Sequence, residues 1–537
     1  MRSLLIIALS GMTLAANMAV SASLPAPRKD SMSRSAKKNP VEVRFAAHIT
    51  QKGLHDRLEV LTADSLEGRE TGTAGAQKAS KYIASRFASF GLKAPVSGSY
   101  FFNVPLVEKK FQSASLSWSG MAAGETGWSY YPAGRGGGGS TNQKELVVLT
   151  LPASADSLES VLAKADITDK AVLVLPGSTV LAPDQQNFHA WLIANSQKIS
   201  ATLRKNPAAL FLVDDFGPAP TLDKAELARR YANKSTTFHG EKQAELHNTL
   251  FVFTHTALDH LLAEGGVTLT GLEKKAALSR VYTRTTVPVK LAISVNYSEK
   301  PVEATDVLGL LPGTDLEKQI LVISAHYDHL GKQDGKIYHG ADDDGSGSSA
   351  LLSIAAAFSD AAKAGHKPRR SILFLANVGE EKGLLGSQYY SEHPVFAPAN
   401  TVTDLNIDMI GRIDSAHMQD SNYVYAIGSG KLSSDLQHIS EEANRTYSNL
   451  TLDYRFDDPK DPNQFYYRSD HYNFAKLNIP IIFYFNGVHA DYHQPSDTIE
   501  KINFGIYQKR AQLVFYTAWE LANRDLRPAV DRTNDFK

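Results

Sequence analysis

Five residues of the types that bind divalent metals lie between positions 324 and 493, each just after a predicted strand or in the loop that follows one. They are His326, Asp343, Glu381, Asp408 and His493. Zinc binds imidazole nitrogen and carboxylate oxygen in a roughly tetrahedral shell. Two histidines and three carboxylates are too many for one such ion that keeps an open position. The set therefore suits two ions that share one bridging carboxylate.

Two further carboxylates lie beside this set. Glu380 directly precedes Glu381, so it can be the base that takes a proton from an attacking water. Asp328 lies two residues after His326, where it can hydrogen-bond the imidazole and orient it. One such residue alone is most often a solvated loop side chain. The whole set together favours a two-metal hydrolytic site.

The chain around these residues alternates predicted strands and helices. Continuous apolar runs predict buried strands, and helical periodicity predicts helices over 350–364 and 502–521. The strand runs are 320–324, 371–376, 405–407, 423–427 and 479–485. This order predicts an α/β fold with a mixed, mostly parallel sheet and helices on both faces. Since ligands gather beyond the carboxyl ends of the strands in such sheets, we expect the metal-type residues to converge on one edge.

The composition and the pattern of predicted elements change between residues 110 and 298. Ser, Gly and Thr become frequent, and short strand-like runs recur, for example at 145–151, 170–175 and 208–213. We predict a β-rich domain inserted at 110–298 between the two parts of the α/β domain. Those parts are 45–109 and 299–525, and residues 526–537 form a C-terminal tail.

The N-terminal residues indicate export. Arg2 precedes an apolar run at 4–9, and Val20-Ser21-Ala22 offers small residues for cleavage, which predicts a signal peptide over 1–22. The apolar run is interrupted and short for a membrane span. We expect a periplasmic or extracellular protein with no stable membrane span after signal removal. Residues 23–44, rich in Pro, Lys, Arg and Ser, predict a disordered lead-in.

The amino-acid composition excludes several kinds of metal site and of catalytic nucleophile. The chain has 537 residues and no cysteine, which excludes disulfides, Cys-ligated zinc, iron–sulfur clusters and a cysteine nucleophile. A bound metal must therefore be held by histidine and carboxylate. The formal net charge of -1 gives no overall field to attract nucleic acid, so no nucleic-acid partner is expected.

Five stretches of sequence resemble one enzyme family. They are 325–331 (AHYDHLG), 340–347 (GADDDGSG), 379–387 (GEEKGLLGS), 406–411 (NIDMIG) and 491–498 (DYHQPSDT). Their residues and their order are similar to those of the cocatalytic dizinc aminopeptidases, which include aminopeptidase Y and, more distantly, glutamate carboxypeptidase. The resemblance is strong over 301–525. It extends to 45–108 through LEGRETGT at 66–73.

This resemblance implies a role for each candidate residue. His326 and Asp408 would bind one zinc ion, Glu381 and His493 the other, and Asp343 would bridge the two. Glu380 would serve first as general base and then as general acid, and Asp328 would orient His326. Among the three adjacent aspartates, Asp342 and Asp344 would shape the loop. The implied cofactor is two Zn²⁺ per chain, with Co²⁺ or Mn²⁺ as alternatives.

The implied function is a metal-dependent exopeptidase. In the leading form it is an aminopeptidase that removes N-terminal residues from peptides with a free amine, through a hydroxide held by two zinc ions. One alternative is a carboxypeptidase or dipeptidase of the same fold, in which Arg412 or Arg468 would hold the substrate carboxylate. We expect both arginines to be structural or surface residues instead.

More distant alternatives are a single-zinc glutaminyl cyclase and a non-catalytic receptor-like homologue. The insertion lies where many relatives carry a protease-associated domain.

Several neighbours of the motifs carry weaker expectations. Tyr492 is a candidate for binding the substrate oxygen through its hydroxyl, or for packing. Ser469-Asp470-His471 is expected to support the site and not to bind metal. His329 and His339 are expected to be exposed loop residues.

Overall fold

The computed structural model describes residues 38–534 except 119–126, 132–137, 152–161, 163, 177–187, 215–233, 240–245, 247–248 and 279–282. The predicted signal peptide lies outside the described residues, as does most of the predicted lead-in. The chain forms two compact units. The inserted unit is Val107–Pro301. The other, which we call the site unit, comprises 38–106 and 302–534.

The strands of the described residues are β1 (Phe101–Asn103), β2 (Leu106–Ser117), β3 (Trp128–Tyr131), β4 (Gly139–Leu151), β5 (Ala171–Pro176), β6 (Ala209–Asp214), β7 (Lys234–Phe238), β8 (Thr249–Thr254), β9 (Thr283–Val302), β10 (Thr305–Leu311), β11 (Leu316–His326), β12 (Lys332–Gln333), β13 (Lys336–Ile337), β14 (Arg370–Asn377), β15 (Thr401–Ile407), β16 (Tyr423–Ile427), β17 (Thr451–Asp453) and β18 (Ile481–Phe485).

The α-helices of the site unit are Pro40–Ala46, Gln51–Leu61, Ala74–Phe90, Gly347–Lys363, Leu385–Glu392, Ser434–Ala443, His471–Ala475 and Phe504–Asn523. Those of the inserted unit are Phe188–Ala194, Ser196–Leu203, His255–Ala263 and Leu269–Leu278.

An eight-stranded sheet forms the centre of the site unit, in the order β1-β10-β14-β11-β15-β18-β16-β17. Its middle strands β14, β11, β15 and β18 run parallel to one another, while β10 pairs antiparallel with β14 and β16 pairs antiparallel with β18. The predicted α/β fold with a mixed, mostly parallel central sheet is confirmed.

Both faces of this sheet are covered, so its central strands are buried along their length. Phe374 on β14 packs on one face against Phe87 and Phe358, which belong to two long helices. Its neighbour Leu373 belongs to the apolar cluster on the other face, together with Tyr390. A strand covered on both faces reads as a continuous apolar run, which is why SILFLA predicted a strand without alternation.

The inserted unit has its own eight-stranded sheet, in the order β3-β8-β6-β5-β4-β9-β2-β7. Strands β4, β5, β6 and β8 run parallel, and β3 and β9 pair antiparallel at their flanks. Apolar clusters lie on both faces. The prediction of a β-rich insertion omitted its helices, because these have 7, 8, 9 and 10 residues and are too short to show a clear helical periodicity.

The start of the site unit differs from the sequence prediction. Helix Pro40–Ala46 begins inside the segment 23–44 that was expected to be disordered. Asn39 caps this helix by accepting a hydrogen bond from the Val41 amide, and Phe45 is buried. Burial of that ring outweighs the polar composition of the preceding residues. No helix among residues 38–534, as far as they are described, is long and apolar enough to cross a bilayer.

A buried arginine ties the closing helix to the sheet edge. Arg510, on helix Phe504–Asn523, has no exposed surface. Its guanidinium donates to the carbonyls of Tyr423 at 2.8 Å, Ile410 at 2.9 Å and Arg412 at 2.6 Å. The side chain therefore fixes the backbone that follows β15 against the start of β16.

Replacing Arg510 with Leu should destabilise the site unit by roughly 3 kcal/mol or more, because three buried carbonyls would lose their donor. The measurement is the shift in the urea unfolding midpoint of the full chain. Arg445→Leu is the matched control, since Arg445 is exposed and its pair with Glu442 is 3.8 Å long. Equal shifts for the two variants would contradict this account.

Candidate metal centre

The predicted metal-type residues converge on one edge of the site-unit sheet. His326 is the last residue of β11, and Asp408 directly follows β15. Glu380 and Glu381 lie in the turn after β14, and His493 lies in the loop after β18. All four strands run parallel, so their carboxyl ends meet on the same side. The sheet thus brings together side chains that are up to 167 positions apart.

Asp343 lies at the centre of the cluster with its two oxygens directed to different groups. Its Oδ1 is 3.4 Å from Nε2 of His326, and its Oδ2 is 3.0 Å from Nε2 of His493. Asp408 Oδ1 lies 3.6 Å from the same His326 nitrogen, and Glu381 Oε2 lies 3.3 Å from the His493 nitrogen. The cluster therefore has two halves that share one carboxylate.

The donor set fits divalent cations. Nδ1 of His326 lies 3.1 Å from the backbone carbonyl of Asp328. A carbonyl only accepts, so Nδ1 carries a proton, and in the neutral ring Nε2 then holds the lone pair. That buried Nε2 has no hydrogen-bond partner among the described residues, yet it lies within 3.9 Å of carboxylates of Asp343, Glu380 and Asp408. A lone pair facing carboxylate oxygens is stabilised by a cation between them.

The electrostatics of the cluster agree with this fit. Burial raises the pKa of Glu380 well above its usual range; His326 opposes the shift, and Glu381 and Asp408 add to it. Burial disfavours the imidazolium of His493, but the neighbouring carboxylates of Asp343 and Glu381 outweigh it and raise its pKa to about 10. Such a field concentrates positive charge at the site.

Asp328 lies in the site but makes a different contact from the one expected. Its carboxylate is 3.8 Å from Nδ1 of His326, beyond hydrogen-bond range, and its backbone carbonyl orients the imidazole instead. The carboxylate accepts hydrogen bonds from Thr71 Oγ1 at 2.6 Å and from the Glu380 amide at 3.2 Å. The carboxylate of Asp328 therefore holds the backbone of Glu380 in place through the hydrogen bond from the Glu380 amide.

His329 is not the exposed loop residue that the sequence predicted. It is fully buried, and its Nδ1 lies 2.7 Å from Oε1 of Glu381 and 3.8 Å from Oδ2 of Asp343. His339, expected to be similar, is partly exposed and lies 2.8 Å from Asp64. Spacing within a loop gives no sign of which histidine turns inward, which is why His329 was missed.

Three aspartates shape the backbone around Asp343. Asp342 accepts a hydrogen bond from the Gly411 amide at 2.7 Å, and Asp344 accepts from the Met409 amide at 3.0 Å. Asp497 accepts from the amides of Asp342 at 2.9 Å and Asp343 at 3.2 Å. The loop is thereby fixed to the chain after β15. The loop-shaping role expected for Asp342 and Asp344 is confirmed, whereas Asp497 was not singled out.

Gly347 allows this loop to approach the sheet. A Cβ at this position would lie 2.3 Å from Oδ2 of Asp344 and 2.3 Å from the carbonyl of Ile407. The Gly347 amide also donates to Oδ1 of Asp344 at 2.8 Å. Any side chain here would push the aspartate loop away from the end of β15.

Arg69 is a further supporting residue that sequence reasoning did not single out. It has 1% of its surface exposed and donates to the backbone carbonyls of Leu61, Tyr327, His339 and Gly340. Its buried positive charge faces the aspartates of the cluster. Arg69 belongs to the LEGRETGT stretch of the family resemblance, but its contacts are set by the fold and not by that stretch.

Ser469 supports the site as predicted. Its hydroxyl donates to Asp408 Oδ2 at 2.6 Å and accepts from Asn406 Nδ2 at 2.9 Å. Ser324 continues the network by donating to Asn406 Oδ1 at 3.0 Å. Asp408 is therefore held by a chain of buried hydrogen bonds, and only one of its oxygens is directed at His326.

A pocket opens beside the cluster. Its lining residues are Asp343, Glu380, Asp408, Met409, Phe465, Arg468, Phe483, Phe485, Val488 and Tyr492. Polar and apolar atoms contribute about equally to its wall, and three carboxylates line it together with Arg468. The ring of Tyr492 stacks on that of His493 with centroids 3.8 Å apart. Tyr492 thus packs against His493 and also lines the pocket, where its hydroxyl can contact a substrate.

Comparison with known proteins agrees with these features. Residues 306–518 match peptidase family M28, which confirms for this stretch the resemblance that the motifs predict. A probable leucine aminopeptidase of Arthroderma otae is 32% identical over 227 residues, covering 41% of this chain and 58% of that protein. One of Trichophyton verrucosum is 30% identical over 223 residues, covering 40% and 57%. The chain thus matches little more than half the length of these relatives.

Among solved structures, an aminopeptidase from Aneurinibacillus sp. strain AM-1 aligns with a TM-score of 0.49 at 16% identity. It covers 92% of this chain and 98% of its own. The zinc aminopeptidase BSAP from Bacillus subtilis aligns with a TM-score of 0.45 at 17% identity, covering 91% and 99%.

Replacing His329 with Leu should weaken metal binding by roughly 10- to 100-fold, since Glu381 would lose the imidazole that fixes its orientation. Competition with a coloured chelator measures this affinity without any substrate. His339→Leu is the control, because His339 pairs with Asp64 outside the cluster. An unchanged affinity in His329→Leu would show that Glu381 does not depend on this contact.

Proposed function

We propose that this chain, whose residues 306–518 match peptidase family M28, is an exported metallo-aminopeptidase that hydrolyses N-terminal residues of peptides. Two Zn²⁺ ions are the proposed cofactor, with Co²⁺ or Mn²⁺ able to occupy the same nitrogen and oxygen donors. The N-terminal sequence supports export to the periplasm or outside the cell. Peptides with a free N-terminus are the proposed substrates.

The observation that carries the proposal is the position of Asp343 between two donor groups. Its Oδ1 faces His326, with Asp408 beside it, and its Oδ2 faces His493, with Glu381 beside it. One carboxylate that serves two sets of ligands is what a pair of adjacent metal ions requires. The remaining carboxylate, Glu380, lines the pocket. We assign it to proton transfer, since a general base must reach both the water and the substrate.

Two zinc ions held by these residues would polarise the scissile carbonyl and acidify a water molecule. Glu380 would take the proton of that water and then deliver it to the leaving amine. Its buried surroundings raise its pKa, and a higher pKa makes this carboxylate a stronger base. The hydroxyl of Tyr492, in the pocket wall, can donate a hydrogen bond to the developing oxyanion.

The pocket also supports exopeptidase action on free amines. The carboxylates of Glu380, Asp343 and Asp408 line it. An ammonium group beside Glu380, the carboxylate assigned to neither metal ion, is attracted by the field of its charge. An acylated N-terminus offers no charge to this field.

Replacing Glu380 with Gln should lower kcat by roughly 10²–10⁴-fold, because the amide cannot accept the proton of water. Metal content, measured by atomic emission on the purified variant, should stay at the wild-type stoichiometry. Glu317→Gln is the control, since Glu317 is an exposed strand residue. Turnover close to wild type in Glu380→Gln would reject this role.

Removal of metal and acylation of the substrate should each abolish cleavage. A panel of aminoacyl chromogenic substrates, assayed with chelator and after zinc addition, should show loss and recovery of turnover. N-acetylated versions of the same substrates should be resistant, because they lack the ammonium. Equal cleavage of N-acetylated and free-amine peptides that both end in a free carboxylate would instead favour a carboxypeptidase, and a single zinc per active chain would contradict the two-metal site.

A further inference from the structure

Arg468 is a guanidinium at the pocket with no carboxylate partner among the described residues. It lines the pocket together with Asp343, Glu380 and Asp408. Arg412, the other arginine considered from the sequence, is engaged elsewhere. Its guanidinium lies 2.8 Å from Asp491, and it has the structural role expected of it. Arg468 therefore differs from Arg412 in having charge available to a ligand.

Contacts with two aromatic residues hold Arg468 in place. Its Nη2 lies 3.4 Å from the hydroxyl of Tyr492, and its Cζ lies 4.9 Å from the centre of the Phe465 ring. Both rings belong to the pocket wall. Stacking and a single weak hydrogen bond leave most of the five guanidinium N–H groups unused. The side chain is positioned, yet its capacity for binding an anion is not consumed.

Arg468 lies close enough to the metal-type residues for a short peptide to reach both. Tyr492 contacts Arg468 through its hydroxyl and stacks on His493, so one side chain separates the guanidinium from the cluster. One residue of an extended peptide spans about 3.3–3.6 Å. A group on the residue adjoining the scissile bond can therefore reach Arg468 while the bond itself lies at the cluster.

We propose that Arg468 binds a carboxylate of the substrate close to the scissile bond, and so selects short peptides that carry this charge. This inference rests on the proposed peptidase function and adds a specificity determinant to it. The carboxylate has two sources with the same chemistry: the C-terminus of a dipeptide, or an acidic side chain beside the scissile bond. Planar, two-point binding of carboxylate is the interaction for which guanidinium is suited.

The test uses the full-length protein with zinc and a set of matched substrates. Leu-Ala is compared with its amide Leu-Ala-NH₂, which lacks the carboxylate. Leu-Glu-NH₂ and Glu-Ala-NH₂ restore a negative charge on the side chain of either residue. If Arg468 binds carboxylate, wild-type kcat/KM for at least one charged substrate should exceed that for Leu-Ala-NH₂ by roughly 10- to 100-fold. The substrate that shows the preference identifies the source.

Arg468→Gln should remove that preference, so that the ratio of kcat/KM between the charged substrate and Leu-Ala-NH₂ falls to about one, because the neutral amide offers no positive charge to the carboxylate. Arg468→Lys should recover part of it through charge alone. Arg445→Gln, which removes an exposed charge elsewhere, should change nothing. Calorimetric titration with the reduced-bond analogue of Leu-Ala, and with its amide, gives the same comparison without turnover.

An equal loss for charged and uncharged substrates in Arg468→Gln would overturn the proposal, because it would assign Arg468 to the support of Tyr492. So would a wild-type enzyme that cleaves Leu-Ala-NH₂ and the charged substrates equally. Neither result affects the proposed peptidase function. That function fails separately, if wild type with zinc cleaves none of these peptides.

Discussion

The rest of the site unit depends on the burial of several carboxylates at one edge of a sheet. Asp343, Glu380, Glu381 and Asp408 are brought within a few ångströms of the same imidazoles. Like charges so close and so little hydrated are costly, and each needs a cation or a donor to offset the loss of water. The surrounding structure supplies those donors, and the bound metals of the proposed enzyme would supply the remaining positive charge.

Two kinds of hydrogen-bond or charge partner offset the cost of burying these carboxylates. Backbone amides are one: those of Gly411, Met409 and Glu380 donate to aspartates around the cluster. Buried arginine is the other. Arg69 places a positive charge near the aspartates while its N–H groups hold the carbonyls of the neighbouring loops. The same interactions that stabilise the charges also fix the ligand geometry, so stability and function are not separable at this edge.

The arginines near the site illustrate how fold context decides a role. Arg412 and Arg468 looked equivalent in sequence, because both lie near motifs and both were expected to be structural or surface residues. In the fold, Arg412 pairs with Asp491, whereas the contacts of Arg468 among the described residues are with the aromatic side chains of Tyr492 and Phe465. The difference lies in which loop approaches each side chain, and no local pattern encodes that.

Sequence alone determined the fold class and the set of candidate ligands. Buried strands require continuous apolar runs, and metal-binding chemistry admits few residue types, so both leave a signal in residue identity. Helix Pro40–Ala46, the inward turn of His329 and the carbonyl contact of Asp328 with His326 were decided by the tertiary structure. These depend on residues far away in the chain that bury a ring, fill a space or occupy an oxygen. Such partners are set by packing, which single-chain spacing does not contain.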